Sequence, residues 1–283
     1  MSSLELIGIS KGFGNVKALD DINLTFEEGK IYGLLGRNGA GKTTMLKIIY
    51  EMLFPNSGVV HMDGHAIGGN DTALGKMFFI GEKNYFPEDM KVEKAFRLMN
   101  DFRKDFDPAY ANRLADAFGL NIKKKIKSLS TGYASIFKNI LALASNAPFI
   151  LLDEPVLGLD ANHRDMFYKF MIEKYSESPF TAIISTHLIE EVADVVEHVV
   201  IIRNGCIIRD EPRESLLDSG YSVSGKADTV RAFVSGREVL GTDALGGFET
   251  AYVLGECPKN DLPEGLEISR MDLQRLFIQL TNS

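Results

Sequence analysis

The eight residues Gly36-Arg37-Asn38-Gly39-Ala40-Gly41-Lys42-Thr43 fit a glycine-rich pattern that wraps backbone around phosphate. Glycines let successive N–H groups curl round the β- and γ-phosphates, and a helix starting at the end of the loop adds its partial positive charge. On this pattern Lys42 neutralises phosphate oxygens, Thr43 ligates magnesium, and Thr44 completes the phosphate-binding set. A second stretch, Phe149-Ile150-Leu151-Leu152-Asp153-Glu154, is an apolar run ending in two acids. It presents both carboxylates at the C-terminal edge of a strand, where α/β sheets bind ligands. Asp153 is expected in the magnesium shell, and Glu154 is expected to orient and polarise an attacking water. Without a phosphate loop ahead of it, the pair would read more simply as a solvated strand end.

Such groups need a strand before the glycines and a helix after them. Ile31 to Leu35 is a short apolar run ending at glycine, and Met45, Leu46, Ile49, Met52 and Leu53 recur at helical spacing between Thr43 and Leu53. Upstream, Leu4, Leu6 and Ile9, then Ile22, Leu24 and Phe26, alternate and predict antiparallel strands, with a turn at Glu28-Gly29-Lys30. From Met90 to Leu120 the period is helical (Val92, Ala95, Phe96, Met99, then Leu114, Ala117, Phe118), with a helix start at Asp107-Pro108. Phe149 to Leu152 and Thr181 to Ser185 read as buried strands, each leading through polar residues to a helix, the rhythm of a parallel sheet. Past Asp218, Gly220, Gly225 and Gly236 interrupt alternating stretches until a last helix carries Leu273, Leu276, Phe277 and Leu280 on one face.

The expected fold is therefore α/β: a P-loop NTPase core on a mainly parallel sheet, with an antiparallel β-subdomain and an inserted helical subdomain over about residues 85–135. Residues 1–218 form this main domain and residues 219–283 a small C-terminal α+β domain. A tail of roughly 60 residues is marginal alone, so it is expected to pack on the main domain.

A net charge of -8 argues against a nucleic-acid binder, which needs a basic stripe to displace counterions from phosphate. The run Lys123, Lys124, Lys125 and Lys127 reads as a solvated helix end. Cys206 and Cys257, far apart and outside any ligand motif, read as inert thiols packed as small apolar groups in a reducing compartment. His61, His65, His163 and His198 lack metal-ligand spacing, so no structural zinc is expected and magnesium is the only metal implied. Met1 to Ser10 does not resemble a secretory leader, and no window approaches the ~18 apolar residues of a membrane-spanning helix.

Taken in order, these stretches resemble the nucleotide-binding domain of ATP-binding-cassette (ABC) transporters. Leu129-Ser130-Thr131-Gly132-Tyr133 stands where that family carries its Leu-Ser-Gly-Gly-Gln signature, Gly158-Leu159-Asp160 matches its aspartate loop, and Ser185-Thr186-His187 its histidine switch. The resemblance spans Leu4 to Glu214 and implies that the ligands are ATP and Mg2+. It implies that Phe13 stacks on adenine with Val16 lining the same face, although an early Phe alone would pass for core. It makes His187, by default a strand-end histidine, the γ-phosphate sensor, acting with Glu154 and Lys42 in catalysis. Ser130, Gly132 and Asp160 are the implied contacts across a dimer.

Three positions depart from the family pattern. Thr131 and Tyr133 replace a glycine and a glutamine, and a β-branched Thr131 loosens the clamp on the partner's γ-phosphate unless its backbone is ordinary. Glu82, after the apolar run Met77 to Gly81, aligns with the family's loop glutamine; a carboxylate can still bind magnesium, at the cost of an extra negative charge near the phosphates. Val156-Leu157 stand where small polar residues are common.

What the resemblance implies is an ATP-hydrolysing subunit that dimerises around two Mg-ATP, as a homodimer or with a related ATPase subunit. Its partner would be an integral-membrane permease on a separate chain, with this chain cytoplasmic and peripheral on the inner face of the membrane. The tail and the basic stretch before the signature look like half-transporter ATPases of the YtrB type, which favours export. The alternatives are a soluble regulatory cassette protein and a weakly hydrolysing nucleotide-gated switch.

Overall fold

The computed structural model describes residues 2–258 and 263–282. β1 (Ser3–Phe13) and β2 (Val16–Glu27) form the expected antiparallel pair, with Leu4 opposite Phe26, Leu6 opposite Leu24 and Ile9 opposite Ile22. All six side chains are buried on one face while the alternate residues meet solvent. β3 (Ile31–Leu35), buried along its whole length, runs through the glycine loop into α1 (Lys42–Ile49). That helix stops short of the expected Leu53. Glu51 turns to a left-handed φ of 55°, and the N–H groups of Met52 and Leu53 both fold back on the Lys47 carbonyl. Satisfying the terminal carbonyls in this way outweighs continued apolar spacing.

β4 (Ser57–Met62) and β5 (His65–Ala66) complete a first sheet of order β2-β1-β4-β5. α2 (Asp71–Gly75) leads to β6 (Met77–Ile80), and the helical layer follows with α3 (Val92–Phe102) and α4 (Pro108–Ala117). The Asp107 carboxylate caps α4 by accepting from the Tyr110 N–H at 2.8 Å, the helix start that Asp107-Pro108 predicts. α5 (Thr131–Ala144) is preceded by a 3-10 turn over Ile126–Ser128. The lysine run is thus a turn rather than a helix end, and Lys125 and Lys127 pair with Asp89 at 3.3 and 2.7 Å.

β7 (Phe149–Asp153), α6 (Ala161–Glu177), β8 (Thr181–Thr186), α7 (Ile189–Val192), β9 (His198–Arg203), β10 (Cys206–Pro212) and α8 (Arg213–Asp218) build the main sheet. Its order is β10-β9-β3-β8-β7-β6, parallel except at the β10 edge. The C-terminal ends of β3, β7 and β8 lie side by side, which brings residues 36–43, 153–154 and 185–187 to one edge.

The tail contains β11 (Gly220–Lys226), α9 (Ala227–Val234), β12 (Glu238–Leu245), β13 (Phe248–Leu254), β14 (Leu266–Arg270) and α10 (Leu273–Asn282). Its sheet runs β12-β13-β11-β14. Gly220 and Gly225 lie within β11 rather than interrupting it, because ladders on β11 from β13 and β14 outweigh glycine's weak strand preference. α9, which buries only Val230, is too short and too exposed for the sequence pattern to reveal. Tyr221, Val223, Val230, Ala251, Val253 and Leu266 make a small core of their own, whereas Leu273, Leu276, Phe277 and Leu280 join the core beneath the main sheet. Cys206 and Cys257 are free and exposed, so neither packs as a small apolar group: one opens the edge strand β10 and the other lies in the loop after β13.

One polar knot fastens the first strand. Asp63, in the turn between β4 and β5, accepts from the Ser3 N–H at 3.0 Å, from Lys76 Nζ at 2.7 Å and from the Ser2 hydroxyl. The Lys76 ammonium, then Ser2, pull its carboxyl down to about 2. A folded pKa below the ordinary 3.8 means stability that is fully present above about pH 4 and is lost as pH falls toward 2. Asp63→Asn is therefore expected to cost about 1 kcal/mol at pH 7, a figure kept small because a third of the side chain meets solvent. Urea denaturation at pH 7 and pH 3 checks it: the gap from the parent should shrink at the lower pH.

Candidate functional site

The phosphate loop owes its shape to contacts that only glycine permits. Gly41 is the N-cap of α1 at φ 114°, and a Cβ there would lie 2.5 Å from the Ala18 carbonyl oxygen. No side chain caps α1, so the first N–H groups of the helix are open to an anion. The Gly205 N–H, in the turn after β9, donates to the Ala40 carbonyl at 3.1 Å and braces the loop from behind. Lys42 is 5% exposed and spans the loop, donating from Nζ to the Gly36 carbonyl at 2.7 Å. Its Nζ stands 3.8 Å from Glu154 Oε1. Burial lowers the Lys42 pKa, and Glu154 and Asp153 oppose that by favouring the ammonium.

Asp153 ends β7 and accepts on Oδ1 from the Thr43 and Ser185 hydroxyls, each at 3.0 Å. Burial raises its carboxyl pKa against those two hydrogen bonds. The donor set suits magnesium: cis oxygens of an octahedron with bonds of about 2.1 Å are about 3.0 Å apart, the Thr43–Asp153 separation. Glu154, next along, holds a left-handed φ of 51°, and its N–H donates to the Ser185 carbonyl at 2.8 Å. The Thr186 hydroxyl donates to Oε2 at 3.1 Å, and His187 Nδ1 lies 2.9 Å from Oε1. A non-glycine residue in that region is strained, and here three residues of β8 and the loop after it hold it in place. Ser185 and Thr186, quoted in the sequence only as part of the switch, are the residues that fix the two acids.

Glu82, Thr43, Asp153 and Glu154 line one cleft of about 290 Å³, together with Thr131, Ser135 and Lys138 of α5. Lys138 is absent from the sequence reading. Its signal is a lone charge among the buried residues Ile136, Phe137, Asn139 and Ile140 of α5. α5 is further tied to the segment after Glu154: Ser135 Oγ donates to the Leu157 carbonyl and Asn139 Nδ2 to the Pro155 carbonyl, both at 2.9 Å.

Ser130, Gly132, Asp160, Phe13 and Val16 are not among the residues lining that cleft, whereas Thr131 is. Ser130 is exposed and caps α5, its hydroxyl accepting from the Tyr133 N–H at 3.3 Å. Thr131 opens the helix with an ordinary backbone, the condition under which its β-branch need not loosen the clamp. Gly132 packs so tightly that a Cβ would lie 2.8 Å from the Gly158 carbonyl oxygen, which joins signature and aspartate loop within one chain. Asp160 caps α6 through the His163 N–H at 2.9 Å, a bond that also holds its carboxyl below the usual range. Phe13 and Val16 face each other across the β1–β2 turn and are 49% and 67% exposed. Close to that turn, the Ala18 carbonyl oxygen packs where a Cβ on Gly41 would stand. Arg37, Asn38, Gly39 and Ala40 face a second cleft of about 440 Å³ shared with Arg203 and Thr281, and the Arg37 guanidinium bonds the Asn282 amide of α10.

Among the described residues, no cluster of His, Cys, Asp and Glu forms a metal site of three or more such ligands, and no helix is long and apolar enough to cross a membrane.

Comparison with known proteins bears on the family and the fold. A family profile described as ABC transporter matches residues 19–157. The ABC transporter ATP-binding protein NatA of Bacillus subtilis is 31% identical over 214 residues, covering 73% of this chain and 87% of that protein. The ABC transporter ATP-binding protein YtrB of the same organism is 28% identical over 259 residues, covering 91% and 87%. A solved structure of the ATP-binding subunit of an ABC transporter superposes with a TM-score of 0.67 at 24% identity, over 75% of this chain and 91% of that one.

Proposed function

We infer from its membership of the ABC transporter family, to which this chain belongs as an ATP-binding and ATP-hydrolysing subunit, that it works in pairs as the motor of a separate membrane protein. The observation that carries this reading is the split of the site. Thr43, Asp153 and Glu154 converge in one cleft, while Ser130 sits outside it at an exposed helix end, free to serve a neighbour's nucleotide. Two copies, or this chain and a related ATPase subunit, then enclose two Mg-ATP, each held by the phosphate loop of one chain and by Ser130 and Gly132 of the other. Asp160 lies at the seam.

Within each site Lys42 and the open N–H groups of α1 hold the β- and γ-phosphates. Thr43 and Asp153, with Glu82 beside them, are the groups that would hold magnesium, which when bound offsets the charge of the transferring phosphoryl group. Glu154 orients the attacking water and accepts its proton. His187, whose Nδ1 rests on Glu154, keeps Nε2 to donate a hydrogen bond to the γ-phosphoryl where negative charge develops.

The membrane subunit docks, in this reading, beside the Glu82 loop. Tyr85 and Met52 expose 58% and 41% of their surface there, and the Tyr85 hydroxyl donates to Met52 Sδ at 3.9 Å. Closure of two such cassettes moves the helical layer and that patch together. We read the transport as export, on the half-transporter resemblance, with the chain held on the inner membrane face by its partner.

The adenine assignment gives a direct test. Phe13→Ala is expected to weaken Mg-ATP binding about tenfold, one stacking contact of 1–3 kcal/mol, with the melting temperature unchanged because the ring is half exposed. Fluorescent-nucleotide titration reads it, and equal affinity would move the base away from this hairpin.

A further inference from the structure

Lys138 projects from the signature helix α5 to the loop after β6. Its Nζ donates to two consecutive carbonyls, Gly81 at 2.6 Å and Glu82 at 3.1 Å, and it lines the cleft with Thr43, Asp153 and Glu154. An ammonium has three donors, so these bonds use two of them. The side chain is part-buried; burial lowers the Lys138 pKa, and Glu82 and then Asp153 oppose that by favouring the ammonium. Lys47 and Lys83 also line that cleft.

The pairing bears on the acid that stands where the family carries its loop glutamine. Glu82 adds a carboxylate beside a pocket built for a polyphosphate, and in a partly desolvated cleft that charge repels the ligand far more than it would in water. A cation fixed on the same loop by backbone bonds cancels it. Because Ser130 and Thr131 begin the helix that bears Lys138, the same bonds tie the signature to the loop beneath it.

We propose that Lys138 is a positioning residue for nucleotide binding and hydrolysis, which fixes the Glu82 loop to the signature helix and neutralises the Glu82 carboxylate so that the cleft accepts Mg-ATP. The inference rests on the Mg-ATP reading of this cleft.

A double-mutant cycle tests it. Parent, Lys138→Gln, Glu82→Gln and the double variant are titrated calorimetrically with magnesium and the β,γ-imido analogue of ATP, and ATP turnover is measured alongside. Lys138→Gln is expected to weaken binding about tenfold in the parent and less than about twofold once Glu82 is Gln. Lys138→Arg, which keeps the charge, is expected to stay within about threefold of the parent. Glu82→Gln alone is expected to tighten binding about threefold, and it decides the matter even where Lys138→Gln fails to fold. Equal weakening in both backgrounds, or an affinity that Glu82→Gln leaves unchanged, overturns the proposal while the site stands. A parent that binds no analogue sinks the Mg-ATP reading and this inference together.

Discussion

Glu154→Gln is expected to stop ATP turnover, by about 10²- to 10⁴-fold, while nucleotide binding persists and the protein accumulates as an ATP-dependent dimer. The amide has the shape of the carboxylate and can keep contacts to Thr186 and His187, which lie at 3.1 and 2.9 Å from the two carboxylate oxygens. It loses the basicity that would take a proton from water. The left-handed backbone at φ 51° is unchanged by the substitution, so the loop should stay in place and stability should move little. With hydrolysis blocked, closed pairs lack their route to release. Turnover assays and solution mass with and without Mg-ATP read both halves. A variant that hydrolyses ATP like the parent, with neither protein dimerising, would remove the base role from Glu154 and favour a nucleotide-gated switch.

Lys42→Met is expected to weaken Mg-ATP binding by about 100-fold, two charge-assisted contacts of about 1.5 kcal/mol each. Methionine keeps most of the buried stem but removes the ammonium that lies 2.7 Å from the Gly36 carbonyl and 3.8 Å from Glu154. Asp153 and Glu154 are then left without that cation, so the loss exceeds that of a surface lysine. Equilibrium titration with a fluorescent nucleotide, beside a melt that establishes folding, measures it. Affinity within threefold of the parent would place the phosphates away from this loop.

Much of the site was legible because its parts are contiguous. Eight consecutive residues make the phosphate loop and two adjacent acids end a strand, and the strand and helix that flank the loop follow from a short apolar run and a period of 3.6 residues. The details were less legible where local rules compete. The apolar spacing to Leu53 favoured a longer α1, but a left-handed Glu51 closed it early, and β11 paired on both edges despite two glycines. The cysteines were expected to pack, and edge and loop positions left them in solvent.

The sequence by itself determined the family: a glycine-rich phosphate-loop pattern, two acids ending an apolar run, and the order of motifs that marks an ATP-binding cassette. Only the tertiary structure decided which groups share a cleft. Lys138 meets the Glu82 loop at a separation of 56 and 57 residues, Ser185 reaches Asp153 across 32, and Gly132 abuts Gly158 with no room for a Cβ. It also decided that Leu273, Leu276, Phe277 and Leu280 of the tail complete the core of the main sheet. The physical reason is that periodicity and propensity act over a few neighbours along the chain, whereas charge pairing and close packing depend on distance in space, which the packed sheet order and helix positions set.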